Sequence, residues 1–525
     1  MPPTSTPLSS PEPVTPSRGA SAEAIAAQAL GSATGVVPLA RLRLTLASAL
    51  LLHGRSAEAI CEADAVLDEK GMPEELLSAA ALTRMIGLLT QEDLPGAFGA
   101  AMGVVGQVPP APSANLTGAL CTLAFVAWDD GRFAEAVRLL RSAIQTGDRC
   151  PPGSLQMYPR LVIAPLLVAM GEDAEADRLL DEGSHELDAN GSGIWAALPA
   201  AVRTRQHFAA GRLDEALASA GVAHAAHRLG SAEHFQALAE LTEADVALFR
   251  GDLELATRHV ERARVLPAPW GGFGHSMLTW TEARLVDAQG DPQSALRLLA
   301  STYDKPSAHQ SLFVEEPPSG AWLVRLAVRT GDSGRAEHIT RCLDRLAKNN
   351  ASVGNLAAAA LHANALLDTS PKDLARSARQ YRHAWAEASA WEDAGAAALR
   401  AGEGEHAQAH WSKAADVYRA AGAERDSARV RARLRAVGVR VCNWRRANRP
   451  SDGWNSLTEK EGAVVDLVAE GLTNRQVGSR MYLSHHTVAF HLRQVFRKLD
   501  INSRGELIRL TMLRQPISPG ATDTT

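Results

Sequence analysis

Residues Gly131–Ala143 read GRFAEAVRLLRSA, Gly211–Ala223 read GRLDEALASAGVA and Gly251–Ala263 read GDLELATRHVERA. In each stretch a Gly is followed five residues later by Ala, and seven residues further on by a second Ala. The five-residue offset recurs at Gly54/Ala59, Gly131/Ala136, Gly171/Ala176, Gly211/Ala216, Gly251/Ala256, Gly290/Ala295, Gly331/Ala336 and Gly404/Ala409. Successive glycines from 131 to 331 lie 40, 40, 40, 39 and 41 residues apart. The 77-residue gap before Gly131 accommodates a degenerate copy near Glu92/Ala97, and the 73-residue gap after Gly331 another near Lys372, followed by a shorter repeat. Glycine ends a helix where the backbone must turn left-handed, and a small Ala lets the next helix pack closely. The pattern therefore predicts stacked helical hairpins.

Outward from these turns, Ser21 to Val437 is Ala- and Leu-rich with helical apolar periodicity and little that reads as strand, so residues 21–437 form an all-α region. Its hairpins resemble the tetratricopeptide-repeat family, with a period near 40 instead of 34; armadillo- and HEAT-like repeats have compatible periods. A stacked array of this kind is expected to curve into a superhelix with a concave face for a partner or ligand, or to act only as a spacer or dimerisation platform. Trp270, Trp280, Trp322, Trp385 and Trp391 are candidates to line a groove, although aromatics at helical spacing are more often core.

Residues 1–20 are rich in Pro, Ser and Thr and read as a disordered leader, with 516–525 as a disordered tail. Residues 438–455 read as a basic linker. The longest notable apolar run, Leu161–Met170, is too short to span a membrane, and the first thirty residues lack a secretory pattern. A soluble, cytoplasmic protein with no membrane partner is expected. Five scattered cysteines without a C-x-x-C pair argue against a disulfide framework or zinc knuckle and read as reduced, at least partly buried thiols.

The net charge of −5 hides an asymmetry. From Arg425 to Gln515 there are 18 Lys and Arg against 8 Asp and Glu, leaving 36 against 51 elsewhere. An acidic body repels a polyanion and a basic end attracts one.

That basic end contains, at 457–514, LTEKEGAVVDLVAEGLTNRQVGSRMYLSHHTVAFHLRQVFRKLDINSRGELIRLTMLR. Thr458 with Glu461, Thr473 with Gln476 and Ser503 with Glu506 form capping boxes, Ser484 is a fourth cap, and Gly471 closes the first helix. Helices are expected at about 459–470, 474–481, 485–499 and 504–514. In the third, Val488, Leu492, Val495 and Leu499 face inward, while His486, Phe490, Arg493 and Arg497 share an outward face with no acidic residue. Such a helix suits a major groove about 12 Å wide.

The segment 456–515 closely resembles the LuxR-type helix-turn-helix domain, matching at Leu457, Thr458, Glu461, Gly471, Leu472, Asn474, Leu483, Ser484, Thr487, Val488, His491, Lys498, Leu499, Ser503 and Arg504. The resemblance implies that 474–481 supports and 485–499 reads DNA. It places Ala489, Phe490 and Arg493 towards the groove and Thr473, Ser484, Thr487 and Lys498 near phosphates. Asn474, Arg475, His485, His486, Gln494 and Arg497 complete the candidate interface. The family usually has Lys at the position of Ala489 and Ala at that of Gly478, where Gly costs up to about 1 kcal/mol.

With its helical repeats the chain also resembles the large ATP-binding LuxR-type regulators. It contains no G-x-x-x-x-G-K-[ST] loop, and its first 35 residues lack the strand and helix alternation of a receiver domain. No nucleophile elbow, metal-ligand spacing or Cys/His constellation occurs, so neither an enzyme nor a cofactor is expected. The expected function is a sequence-specific transcription regulator whose repeats receive a protein or small-molecule effector. Its expected partners are duplex DNA, bound as a homodimer, and RNA polymerase. The alternative is an interaction scaffold whose helix-turn-helix serves dimerisation.

Overall fold

The computed structural model describes residue 30 and residues 35–106, 113–150, 157–190, 195–228, 233–266, 273–300, 310–437, 454, 457, 459–481, 485–499, 501 and 503–514. Among the described residues there is no strand. The chain divides into two compact units, Met1–Gly438 and Val439–Thr525. The expected leader 1–20 and tail 516–525 lie outside the described residues, as does the linker 438–455 apart from Trp454.

The first unit is a run of antiparallel helix pairs, such as Ala114–Asp129 with Phe133–Gly147, Leu198–Ala209 with Leu213–Arg228, and His234–Arg250 with Leu253–Val265. The Gly/Ala offset builds each such turn in the same way. Gly131 has φ 75° and Gly251 φ 83°, values that a Cβ makes costly. The next residue's N–H reaches back five residues, as Arg132 N does to Ala127 O at 2.7 Å and Asp252 N to Ala247 O at 2.9 Å. These bonds satisfy helix-end carbonyls in a Schellman arrangement. Ala59, Ala136, Ala176, Ala216, Ala256, Ala295 and Ala336 then have no exposed surface, because each sits where the second helix touches the first.

The degenerate copies show what the motif requires. Glu92 adopts φ 58° without being Gly, and Ala97 is fully buried behind it. The copy expected near Lys372 is centred on Thr369, φ 50°, with buried Leu374 five residues later. The last pair needs correction: the left-handed residue is Gly402, φ 80°, with Ala407 buried, whereas Gly404 begins the following helix. Two Gly/Ala offsets overlap here, and only the backbone shows which one turns.

The repeats also contact one another across the unit. The first half of the unit packs its turns onto the second half. Asn350 Nδ2 donates to Gly131 O at 2.8 Å, and Phe133 N donates to Asn350 Oδ1 at 3.2 Å. Arg382 Nη1 donates to Gly171 O at 3.1 Å, and a Cβ on Gly211 would lie 2.8 Å from Ala421 Cβ. Three successive turns thus meet three successive parts of the chain, about two hundred residues downstream. The ends of these turns are covered by that packing.

Charge is buried between these layers. Asp245, with no exposed surface, accepts from Arg284 Nη1 at 2.8 Å, Arg205 Nη1 at 3.2 Å and Thr281 Oγ1 at 3.2 Å. Arg205 also pairs with Glu316, and the Arg284 guanidinium lies 5.0 to 5.4 Å from the ring centres of Phe249, Trp280 and Trp385. Trp280, Trp322, Trp385 and Trp391 are core residues, while Trp270 lies outside the described residues. Cys121 and Cys342 are buried and Cys150 half-buried; Cys61, expected to be at least partly buried, is exposed.

Candidate nucleic-acid interface

In the second unit the helices are Glu459–Ala469, Asn474–Met481, His485–Leu499 and Arg504–Arg514. Their core consists of Val464, Val465, Val468, Val477, Val488, Leu492, Val495, Ile501 and Leu507. Val488, Leu492 and Val495 recur every three to four residues, so burying them fixes the rotation of helix 485–499 about its axis. The entry to the supporting helix is set locally. Thr473 N donates to Gln476 Oε1 at 2.8 Å, and Gln476 N donates to Thr473 Oγ1 at 3.4 Å, the reciprocal bonds of a capping box. Gly471, φ 87°, closes the first helix, and Ser503 Oγ caps the last by accepting from Glu506 N at 3.2 Å.

With its apolar stripe anchored, helix 485–499 carries Arg493 exposed. Arg493 Nε donates to Ala489 O at 3.4 Å, one turn earlier. His485 and Arg475 are exposed; Thr487, Ala489 and Gln494 are half-buried. Ser484 lies outside the described residues, as do the side chains of His486, Phe490 and Arg497.

Two candidate residues have partners inside the domain. Lys498 Nζ forms a close ion pair with Glu461, whose side chain is only 7 % exposed. This ammonium, expected near a phosphate, compensates a buried carboxylate in the absence of DNA and ties helix 485–499 to helix 459–469. Asn474 Oδ1 accepts from Arg504 Nη1 at 3.0 Å, and the same guanidinium bonds the Leu472 carbonyl. Arg504 thereby clamps the start of the supporting helix. Sequence reading missed both tasks. Glu461 and Lys498 are 37 residues apart, and the local capping pattern offered Glu461 another role. What remains outward is cationic at Arg493, and Arg475 adds charge near the start of the supporting helix. An array of this kind can donate hydrogen bonds to phosphate oxygens and guanine edges.

Comparison with known proteins bears on this second unit. The model of the bacterial regulatory proteins of the luxR family matches residues 455–511. A putative HTH-type transcriptional regulator of Mycobacterium tuberculosis strain H37Rv is 47% identical over 60 residues, 11% of this chain and 7% of the relative. The DNA-binding transcriptional activator DevR/DosR of the same strain is 31% identical over 87 residues, 16% of this chain and 40% of the relative. The chain thus spans about 7% of the length of the mycobacterial regulator it matches at 47% identity. Among solved structures, the Cut9–Hcn1 hetero-tetramer of the APC/C aligns over 94% of this chain and 93% of its own at 11% identity, with a TM-score of 0.33. Four helices, two of them with described capped entries, a valine-rich core and a 57-residue family match converge on one assignment: residues 455–511 are a helix-turn-helix domain of the luxR family of bacterial regulatory proteins.

Proposed function

We propose that the chain is a sequence-specific transcription regulator. Helix 485–499 enters the major groove of duplex DNA, and helix 474–481 crosses the backbone beside it. The observation that carries this reading is the rotation of helix 485–499. Val488, Leu492 and Val495 are buried, so Arg493 is left exposed on a helix whose sequence contains no acidic residue. Arg493 reads a base, with Ala489 and Phe490 at the other groove-facing positions, while Thr473, Ser484, Thr487 and Lys498 lie towards phosphates. The protein acts in the cytoplasm, binds DNA as a homodimer and engages RNA polymerase at the promoter.

The helical repeats receive the signal. A cleft in the first unit supports that assignment: Phe249, Trp322, Trp385 and Tyr418 line it together with Arg325, Arg329, Arg425 and Arg433. Arg284, Arg429, Asp287, Glu392, Asp393 and Asp426 also line it, so the cleft is dominated by charges of both signs and suits a charged, polar ligand. No described helix is long and apolar enough to cross a membrane.

The test is selection of duplexes from a randomised pool by the full-length protein. Enrichment of a common sequence, with affinity falling steeply as salt rises, is expected because cationic contacts release counterions. Selection of no common sequence would favour the scaffold reading.

A further inference from the structure

In the first unit, His224, Glu240, Glu243 and His259 come from three consecutive helices, Leu213–Arg228, His234–Arg250 and Leu253–Val265. Glu240 and Glu243, three residues apart, share one face of the middle helix. His224 approaches from the helix before and His259 from the helix after. His224 Nε2 lies 3.0 Å from Glu243 Oε2 and 3.9 Å from Glu240 Oε1. His259 Nδ1 lies 2.7 Å from Glu240 Oε2 and 3.4 Å from Glu243 Oε2. One ligating atom each from His224, Glu240 and Glu243 can be chosen so that all lie within 4.8 Å of one another.

We propose that His224, Glu240 and Glu243 form a site for a divalent first-row metal ion such as Zn²⁺, with His259 orienting Glu240 from behind. Ligand atoms about 2.0–2.2 Å from one tetrahedral ion are roughly 3.3 Å apart, so the observed separations close onto an ion with small side-chain movements. Charge points the same way. Two carboxylates with side chains only 5% and 17% exposed face each other here, and the guanidinium of Arg262, 3.9 Å from Glu240, is itself 62% exposed. A divalent ion held between the two carboxylates compensates both charges. An imidazole and two carboxylates, without thiolate, suit Zn²⁺, Mn²⁺ or Fe²⁺. A His that bonds a ligating carboxylate is the usual second layer of such centres. Facing carboxylates and imidazoles on adjacent helices are also how helical proteins build metal sites in general.

The site is far from helix 485–499 in sequence and does not depend on the DNA-binding reading. It escapes a search for metal-ligand spacing because its ligands are 16, 3 and 16 residues apart in the chain and meet only through hairpin packing.

Isothermal titration of Zn²⁺ into EDTA-treated, dialysed full-length protein provides the test, with Mg²⁺ as the control ion. The expected result is at least one equivalent of Zn²⁺ bound far more tightly than Mg²⁺, and one equivalent fewer in Glu243→Gln and His224→Gln. In His259→Gln the affinity should fall about 10- to 100-fold with the stoichiometry kept. Circular dichroism identifies variants that have lost their helices. Cobalt loading of the wild type supplies an independent reading, because bound Co²⁺ gives visible absorption that reports its coordination. Equal zinc stoichiometry and affinity in the wild type and in folded Glu243→Gln and His224→Gln would overturn the proposal. So would a Co²⁺ spectrum indistinguishable from that of the hydrated ion.

Discussion

The two units of this chain rely on different interactions. The first closes its helix pairs with left-handed turns, most of them followed by a fully buried alanine, then places charge in its interior: Asp245 between Arg205 and Arg284, and Glu392 between Arg429 and Arg433. The second is held by a core made largely of Val and Leu, three local caps and, among the described residues, the buried ion pair Lys498–Glu461. Removing one partner from a buried pair strands the other charge in a medium that solvates it poorly. The comparison implies that the first unit is vulnerable at single buried charges. The second should tolerate changes on its exposed face, and its function should be lost there.

The largest effect should come from Asp245→Ala, which leaves Arg284 without the carboxylate it contacts and Arg205 with Glu316 alone. A loss of about 3–5 kcal/mol is expected for a broken buried pair, read as a lower urea midpoint of the first unit's unfolding. An unchanged midpoint would contradict the idea that buried charge organises this unit.

Next is a pH effect at Glu315, whose carboxylate accepts from Trp128 Nε1 at 2.8 Å. Burial pushes its pKa up to about 8 from an ordinary value of 4.5. Between those values the folded chain holds a proton that the unfolded chain releases, so this group's contribution to stability falls as pH rises from about 4.5 to about 8 and changes no further above. Glu315→Gln keeps an acceptor for Trp128 and removes the titration. Its stability relative to wild type should therefore grow by about 1.4 kcal/mol per pH unit within that window. Thermal melts at pH 6, 7 and 8 would show it. A difference independent of pH would place the Glu315 carboxyl in contact with water.

A smaller effect sharpens the comparison within the second unit. Lys498→Met removes the cation facing Glu461. Because the Lys498 side chain keeps 23 % exposure, the cost should be about 1–3 kcal/mol, below that of a fully buried pair. Amide exchange across 459–469 and 485–499 should accelerate. The double change Lys498→Met, Glu461→Gln should restore part of the protection, since it leaves no unpaired charge. Normal exchange with weakened DNA binding would leave Lys498 with the phosphate contact alone.

How much was legible follows the range of each interaction. Gly131, Gly171, Gly211 and Gly251 announce their turns because the backbone conformation they adopt is local, and the core residues Val488, Leu492 and Val495 announce their face through helical period alone. Thr473–Gln476 was readable because a capping box closes within three residues. Asn350 on the Gly131 turn and Arg382 on the Gly171 turn were not, since each joins residues more than two hundred positions apart. The Lys498–Glu461 pair was illegible for the same reason: its partners sit on different helices and leave no local trace. The Gly402/Gly404 ambiguity has a different origin, two overlapping patterns of which only one matches the helix end.

The central claim is that packing fixes helix 485–499 so that Arg493 reads a base. Its most direct test is competition binding of full-length wild type and Arg493→Ala to a selected duplex and to its scrambled counterpart at several salt concentrations. Arg493 is exposed and its Nε bonds a carbonyl of its own helix, so the thermal melt should not move. A lost bidentate guanine contact should cost about 1–3 kcal/mol on the selected duplex and little on the scrambled one. Equal losses on both duplexes, or none on either, would contradict the assignment of the base-reading face.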